Sequence, residues 1–184
     1  MQLTIPTILL ALAAYTTAST KETATFDDAP QGAPPTPYHR LVWRDTYIVA
    51  ANPAITPSSG TQYAASSTAP TNNVPLISFS VNSTTSPKPD YFDLDSLTLG
   101  AAYIIRNGYR NTKVQFTVQC TKSSGHEGPQ LLEWVPDKSQ GATMKKYDVG
   151  FKGCKNAWLN LYTAEAGVPK TVLYLDDVKV TAYP

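Results

Sequence analysis

Two pairs of neighbouring aspartates are the side chains in this sequence best suited to chemistry. Asp27-Asp28 follows an early strand-like segment, and Asp176-Asp177 interrupts the last one. If the first and last strands pair, these carboxylates converge, and a bound cation would relieve their mutual repulsion. Because calcium prefers oxygen ligands, the doublets predict a structural calcium site. The alternative is that they cap strand ends or accept hydrogen bonds from backbone N–H groups.

Aromatic residues indicate a second kind of site. Trp158, Asn160 and Tyr162 alternate with small or aliphatic residues. If the aliphatic side faces the core, both rings face outward, where they could stack on sugar rings while Asn160 bonds a hydroxyl. The opposite phase buries both rings, and it is slightly favoured because core aromatics are common. Tyr38 and Trp43 form a second candidate sugar platform, with a packing plug at one end of the fold as the alternative.

Strong catalytic signatures are absent. The sequence has no G-x-S-x-G, H-E-x-x-H, phosphate-binding Gly loop or C-x-x-C pair, and it has two histidines. Paired carboxylates for glycoside hydrolysis are the one route left open, and the candidates are Asp93, Asp95, Glu127 and Glu133. Nothing in the sequence brings two of them together. We therefore predict no catalytic residues and a non-enzymatic protein.

Charge and targeting features define the compartment and exclude some partners. Lys and Arg total 15 against 14 Asp and Glu, without a basic run, so neither nucleic acid nor a membrane is an expected partner. Residues 1–18 read as a secretory signal peptide, which predicts a secreted, extracellular protein. The two cysteines, Cys120 and Cys154, are then expected to form a disulfide. Asn82 begins the sequon Asn-Ser-Thr, a predicted glycosylation site.

The elements that position these residues are strands. Helical periodicity is nearly absent, whereas short Val-, Ile-, Tyr- and Thr-rich segments alternate with Pro, Ser and Asn. We predict nine or ten strands in an all-β, two-sheet antiparallel sandwich of jelly-roll type. Residues 19–184 form its single domain, with a Pro-rich connector at 29–37 and a long surface loop at 52–73 that holds at most one short strand.

Two local patterns predict specific features of the strands. Asn107-Gly108 predicts a hairpin turn that joins Leu97–Ile105 to Lys113–Cys120. Within Leu41–Ala50, Leu41 and Trp43 share a period-two phase with Tyr47 and Val49, and a bend near Arg44-Asp45 could divide the segment.

Several of these motifs resemble a family of small secreted proteins found in filamentous fungi. The family opens with T-F-D-D and then P-x-P-x-x-Y-x-G-L-x-W, and this chain has Thr25–Asp28, Pro34–His39 and Leu41-x-Trp43, with Arg40 in place of the glycine. Similar motifs recur near the end, in Gly153-Cys154 and in Tyr174–Val178. The resemblance implies a jelly roll similar to carbohydrate-binding modules, with a structural calcium near the closing L-D-D-V, and so supports Asp27 and Asp177 as ligands.

Together these features predict a secreted, non-catalytic module that binds a polysaccharide or other glycan at a cell wall or extracellular surface. One alternative is a protein-interaction or host-directed effector, whose partner is an extracellular protein and which binds no glycan. The other alternative is a cryptic glycoside hydrolase.

Overall fold

The protein is an all-β sandwich. The computed structural model describes residues 18–34, 36–66, 76–82, 89–105, 108–111, 113–164 and 171–184, which form fourteen strands and no helix. The predicted signal peptide lies outside these residues except for its last position. None of the described segments forms a helix long and apolar enough to cross a membrane.

The strands follow one another closely along the chain. Their bounds are β1 Thr20–Ala24, β2 Leu41–Arg44, β3 Thr46–Ala50, β4 Ile55–Thr56, β5 Gln62–Ser66, β6 Leu76–Val81, β7 Tyr91–Ile105, β8 Gly108–Asn111, β9 Val114–Lys122, β10 Gly125–Trp134, β11 Ala142–Thr143, β12 Lys145–Cys154, β13 Asn156–Ala164 and β14 Thr171–Tyr183.

Two antiparallel sheets face each other, which confirms the predicted two-sheet jelly-roll sandwich. The seven-stranded sheet has the order β12-β7-β14-β5-β3, with β1 on β14 and β8 on β7. The five-stranded sheet has the order β10-β9-β13-β6-β2, and a small parallel pair joins β4 to β11. The first and last strands pair, from Thr20 opposite Ala182 to Ala24 opposite Val178.

Period-two alternation builds the core between the sheets. In β9, Val114, Phe116, Val118 and Cys120 are buried, and the residues between them are partly exposed. Alternate side chains of a strand point to opposite faces, so one face of this sheet is core and the other faces outward. The disulfide between Cys120 in β9 and Cys154 in β12, predicted from the sequence, is present and joins the two sheets.

The predicted long hairpin is wrong. β7 and β9 do not pair with each other; β7 turns back into the short strand β8, with Ile105 opposite Gly108, and β9 lies in the other sheet between β10 and β13. An Asn-Gly turn fixes only the two strands next to it. The chain then crosses between sheets after Asn111.

The segment 52–73 is also more ordered than predicted. Its described part contains two strands, β4 and β5, and β5 is an internal strand between β14 and β3. Tyr63 and Ala64 in β5 are fully buried. The sequence allowed for one short strand in this segment but did not locate β5, because its alanines and glutamine give little hydrophobic contrast. The Pro-rich connector 29–37 lies beside β3, where Gly32 and Ile48 exchange backbone hydrogen bonds of 2.9 and 2.7 Å.

Candidate functional site

Tyr38 and Trp43 are buried, which supports the alternative of a packing plug over an exposed sugar platform; a role of either residue in ligand binding stays a prediction. They are 6% and 5% exposed, and both pack on Phe26, with ring centroids 5.4 and 5.1 Å away. The Tyr38 hydroxyl accepts a hydrogen bond from the Phe26 N–H and donates one to Asp28 Oδ1. Burial, the largest cause, raises the pKa of Tyr38 well above its usual value. We call Phe26, Tyr38 and Trp43 the aromatic plug.

In strand β13 the aromatic side chains face outward, which is the arrangement that the sequence analysis slightly disfavoured. Ala157 and Leu159 are fully buried, so Trp158 and Asn160 face outward and are half-buried, and Tyr162 is 63% exposed. His126 on β10 lies edge-on to Trp158, with ring centroids 5.7 Å apart. Trp158, Asn160 and Tyr162 therefore lie on the outer face of the five-stranded sheet, and their role in ligand binding stays a prediction.

A cleft of about 790 Å³ lies on the outside of the seven-stranded sheet. Residues opposite each other in antiparallel strands share a face. Tyr47 lies opposite Ala65, which lies opposite Tyr174, so the three form one row along the cleft floor. The cleft is lined by Ala33, Pro34, Thr36, Trp43, Asp45, Thr46, Tyr47, Val49, Ala50, Asn52, Ala65, Ser66, Ile104, Tyr109, Val172 and Tyr174.

The cleft exists because a loop covers only part of this sheet face. Next to Tyr174, Gly100 continues the same row, and a Cβ there would meet Met144 at 3.1 Å and Ile55 at 3.3 Å. Those two side chains cover that part of the face. In the uncovered part of this sheet face, the small side chain of Ala65 lies at the centre of the cleft floor. The exposed rings of Tyr47 and Tyr109 lie on either side of it.

Hydrogen bonds hold the cleft floor in place. Asn52 Nδ2 donates to the Tyr174 hydroxyl at 2.8 Å, and the Asn52 N–H donates to the Tyr63 hydroxyl at 2.8 Å. The Tyr63 and Tyr174 rings lie 4.5 Å apart. Burial is the largest cause that raises the pKa of both phenols, to about 12 for Tyr63. Both hydroxyls therefore stay neutral across the physiological range.

Sequence reasoning missed this cleft. Tyr47 and Val49 share the sequence phase of Leu41 and Trp43, which would place all four on one face. In the structure Asp45, with φ of 55°, forms a bend at which the chain leaves one sheet for the other. Residues of the same parity therefore face inward before the bend and outward after it.

Three of the four predicted metal-ligating aspartates converge around two serines. Ser58 Oγ lies 2.8 Å from both Asp176 Oδ2 and Asp177 Oδ2, and Ser59 Oγ lies 3.5 Å from Asp27 Oδ2. One hydroxyl hydrogen satisfies only one of two carboxylates, so repulsion among the acids is incompletely relieved.

The aspartates also accept backbone hydrogen bonds, which was the alternative prediction. Asp176 accepts from the N–H groups of Ser58 and Ser59, both at 3.0 Å. Asp27 Oδ1 accepts from the N–H groups of Thr61 at 2.7 Å and Gln62 at 3.1 Å.

Gly60 and Asp28 complete the surroundings of this cluster. Gly60 has a φ of +47°, and a Cβ there would overlap the Asp27 carboxylate, so the tight loop requires glycine. Asp28 instead serves the aromatic plug, through its bond from the Tyr38 hydroxyl at 2.6 Å.

The chemistry of the cluster fits a cation better than its geometry does. Its donors are all oxygens, as calcium prefers. Asp176 is fully buried, and desolvation, the largest cause, raises the pKa of its carboxyl to about 6. Among the described residues, however, no three His, Cys, Asp or Glu side chains are arranged to hold a metal ion. Calcium binding by Asp27, Asp28, Asp176 and Asp177 therefore stays a prediction.

The four carboxylates considered for glycoside hydrolysis are each held by a lysine. Lys152 Nζ lies 3.1 Å from Asp93 and 3.4 Å from Asp95. Glu127 pairs with Lys122 and Glu133 with Lys113, and the bond from Lys113 is the largest cause that lowers the pKa of Glu133. A general acid needs a raised pKa, so Glu133 is unsuited to that role.

The predicted glycosylation site lies at the end of β6. Asn82 is 3% exposed, which does not favour an attached glycan, and the other two sequon residues lie outside the described part of the chain. Glycosylation at Asn82 stays a prediction.

Comparison with known proteins gives a likeness of structure only. No family model and no curated protein matches the chain. The K2 cleaved adhesin domain of Lys-gingipain is similar at 11% identity and a TM-score of 0.48, over 90% of this chain and 100% of that domain. The CBM22-1 xylan-binding domain of Paenibacillus barcinonensis Xyn10C is similar at 12% identity and a TM-score of 0.41, over 90% and 96%. The C-terminal family 22 carbohydrate-binding module of Clostridium thermocellum Xyn10B is similar at 11% identity and a TM-score of 0.42, over 88% and 92%. Each likeness concerns the fold alone.

Proposed function

We propose that this chain is a secreted, non-catalytic module that binds a neutral carbohydrate in the cleft of the seven-stranded sheet. The observation that carries the proposal is the cleft itself, about 790 Å³ with exposed tyrosines on either side. That volume is within the range of small-molecule sites, about 300–1,000 Å³. Tyrosine offers a flat apolar face with a polar tip, which suits a sugar ring that is apolar on its faces and polar at its rim.

The polarity of the cleft supports a neutral ligand. Its described lining residues include one carboxylate, Asp45, and no Lys, Arg or His. An acidic sugar would therefore meet repulsion without a compensating cation. Neutral hydroxyls would instead find the phenol tips of the exposed Tyr47 and Tyr109.

The ordered side chains of the cleft floor support ligand binding in the cleft. Tyr174 is held by the hydrogen bond from Asn52 and its ring packs at a tilt against Tyr63, so its ring is already ordered before a ligand arrives. Preorganised side chains lose less conformational entropy on binding. Only the exposed side chains of Tyr47 and Tyr109 would lose conformational freedom when a ligand binds.

The same lining supports a non-catalytic role. Glycoside hydrolysis ordinarily needs two carboxyl groups flanking the bond to be cleaved. Asp45 is the one carboxylate among the described lining residues of the cleft. The disulfide Cys120–Cys154 supports an extracellular location, because such bonds persist in oxidising compartments.

Retention on insoluble neutral polysaccharides, followed by calorimetry with soluble oligosaccharides, tests the proposal. We expect Tyr47→Ala and Tyr109→Ala each to weaken binding by about tenfold, which corresponds to ~1.4 kcal/mol of lost stacking. The matched control is Tyr91→Ala, because Tyr91 and Tyr109 are both 37% exposed and Tyr91 does not line the cleft. Absence of binding to glucan, chitin, cellulose and xylan would refute the proposal, as would equal losses in all three variants.

A further inference from the structure

We propose a second ligand surface, on the outside of the five-stranded sheet, that binds an acidic sugar of the uronate type. In this arrangement Arg44 pairs with the sugar carboxylate and the Trp158 ring packs against the sugar. It is separate from the cleft in position and in ligand chemistry, since it lies on the opposite sheet and carries a cation.

Strand register places the necessary groups in one row. Arg44 on β2 lies opposite Ser78 on β6, Ser78 lies opposite Trp158 on β13, and Trp158 lies opposite Gln119 on β9. Neighbouring strands are about 4.8 Å apart, so Arg44 and Trp158 are separated by about 10 Å at the backbone. A sugar ring with its carboxylate can span that gap, with the long Arg44 side chain reaching toward it.

A depression lies at the Arg44 end of this row. It has a volume of about 210 Å³, and its lining combines a cation, two hydroxyls and an amide with apolar surface. The lining residues are Val42, Arg44, Ser78, Phe79, Ser80 and Asn156. The next row continues the polar surface, because Ser80 lies opposite Asn156 and Asn156 opposite Thr121.

The Arg44 guanidinium is available to a ligand. Arg44 is exposed, and no carboxylate among the described residues forms an ion pair with it. The glutamates on the same sheet, Glu127 and Glu133, are paired with Lys122 and Lys113. A guanidinium presents two parallel N–H donors that match the two oxygens of a carboxylate.

The groups around Arg44 favour a sugar over an acidic peptide. Ser78, Ser80, Asn156 and Gln119 supply hydroxyl and amide groups that both donate and accept hydrogen bonds, as sugar hydroxyls do. Trp158 supplies a flat ring, whose place is supported by its edge contact with His126. An acidic polypeptide such as poly-glutamate would pair with Arg44 but has no ring to pack against Trp158.

Polygalacturonate and its fully methyl-esterified form are the matched probes, because they differ only in the free carboxylate. We expect binding to polygalacturonate that is at least tenfold tighter than binding to the ester and that weakens as salt rises. Arg44→Gln is expected to remove that preference, and Trp158→Ala to weaken binding to both polymers. Arg110→Gln is the control, since Arg110 is an exposed arginine on the other sheet.

Three outcomes would overturn this inference: equal binding to acid and ester, an unchanged preference in Arg44→Gln, or binding of poly-glutamate as tight as that of polygalacturonate. The last would show that the surface recognises acidic polypeptide instead of sugar. Tyr47→Ala separates this proposal from the cleft, because it is expected to leave polygalacturonate binding unchanged while weakening neutral-glycan binding.

Discussion

Trp43 of the aromatic plug and Trp158 of strand β13 have opposite positions in the fold. Each lies in a strand of the five-stranded sheet, Trp43 in β2 and Trp158 in β13. Trp43 in β2 is 5% exposed and packs on Phe26, whereas Trp158 in β13 faces outward and Tyr162 is 63% exposed. The pattern within a strand therefore separates two faces but does not decide which of them is buried.

The neighbouring strands decide it. One inward row across the five-stranded sheet runs from Trp43 to Phe79, Ala157 and Cys120. Two large side chains are followed by two small ones, and the Trp43 and Phe79 rings are 4.7 Å apart. A tryptophan in place of Ala157 would have to fit between Phe79 and the disulfide, and such overpacking is costly. The phase of β13 is thus set by residues distant in sequence.

Truncation of the two tryptophans tests this difference most strongly. Trp43→Ala is expected to lower the free energy of unfolding by about 3–5 kcal/mol, because it removes a buried ring and leaves a cavity. Trp158→Ala is expected to cost less than about 1 kcal/mol, because its ring is on the outer face. Urea unfolding monitored by circular dichroism gives both values. Equal losses would mean that the plug and β13 do not differ as described.

Removal of the disulfide tests the inward row at its other end, where Cys120 lies. The bond closes a loop with a sequence separation of 34. We expect Cys120→Ala combined with Cys154→Ala to lower the free energy of unfolding by about 3–4 kcal/mol in the chain-entropy model. Adding a reductant to the wild-type protein provides a second measurement of the same loss. Stability that is unchanged by both treatments would contradict the structural role of the bond.

Much of the fold was predictable because its signals are local. Alternation in Val114–Cys120 indicates a two-faced strand, and a pair of cysteines after a predicted signal peptide indicates a bond. Convergence of Asp27 with Asp176 followed from the pairing of the first and last strands, which was assumed from fold class. The pairing of β7 with β8 was not predictable as such, because the Asn-Gly turn does not show how far its second strand extends.

The cleft was harder to predict than the fold. Its tyrosines, Tyr47, Tyr109 and Tyr174, come from β3, β8 and β14, and only sheet order brings them together. The bend at Asp45 also reverses the inward phase, and a sequence pattern does not show that a chain changes sheets at a bend. Exposure of Trp158 was equally hidden, because it depends on Phe79 in another strand.

The buried carboxylate of Asp176 extends the comparison from aromatic to charged residues. Its pKa is raised from 3.8 to about 6, mainly by desolvation. Between these values the folded chain keeps a proton that the unfolded chain has released, so the free energy of unfolding falls as pH rises. The fall should be on the order of 3 kcal/mol.

Urea unfolding at pH 4 and pH 7 in a chelating buffer measures this fall. Asp176→Asn is expected to abolish it, and Asp90→Asn, at an exposed position, to leave it unchanged. A fall that persists in Asp176→Asn would assign the titration to another group. Calcium added at pH 7 should restore the lost stability of the wild-type protein if the predicted calcium site forms. A melting temperature that is identical with calcium and with chelator would contradict that site.

Placing a leucine on each face of β13 is the test of its orientation with the smallest expected effect. Ala157→Leu adds volume beside Phe79 and Cys120 and should lower the free energy of unfolding by about 1–3 kcal/mol. Asn160→Leu places the same leucine on the outer face, in place of a side chain with the same number of heavy atoms, and should cost less than about 0.5 kcal/mol. Because both variants carry a leucine in the same strand, the strand propensity of the new residue is matched, and the difference reports whether a leucine is accommodated on each face. If Asn160→Leu proved the more costly of the two, Trp158 would have to face the core, and the acidic-sugar surface would lose its aromatic ring.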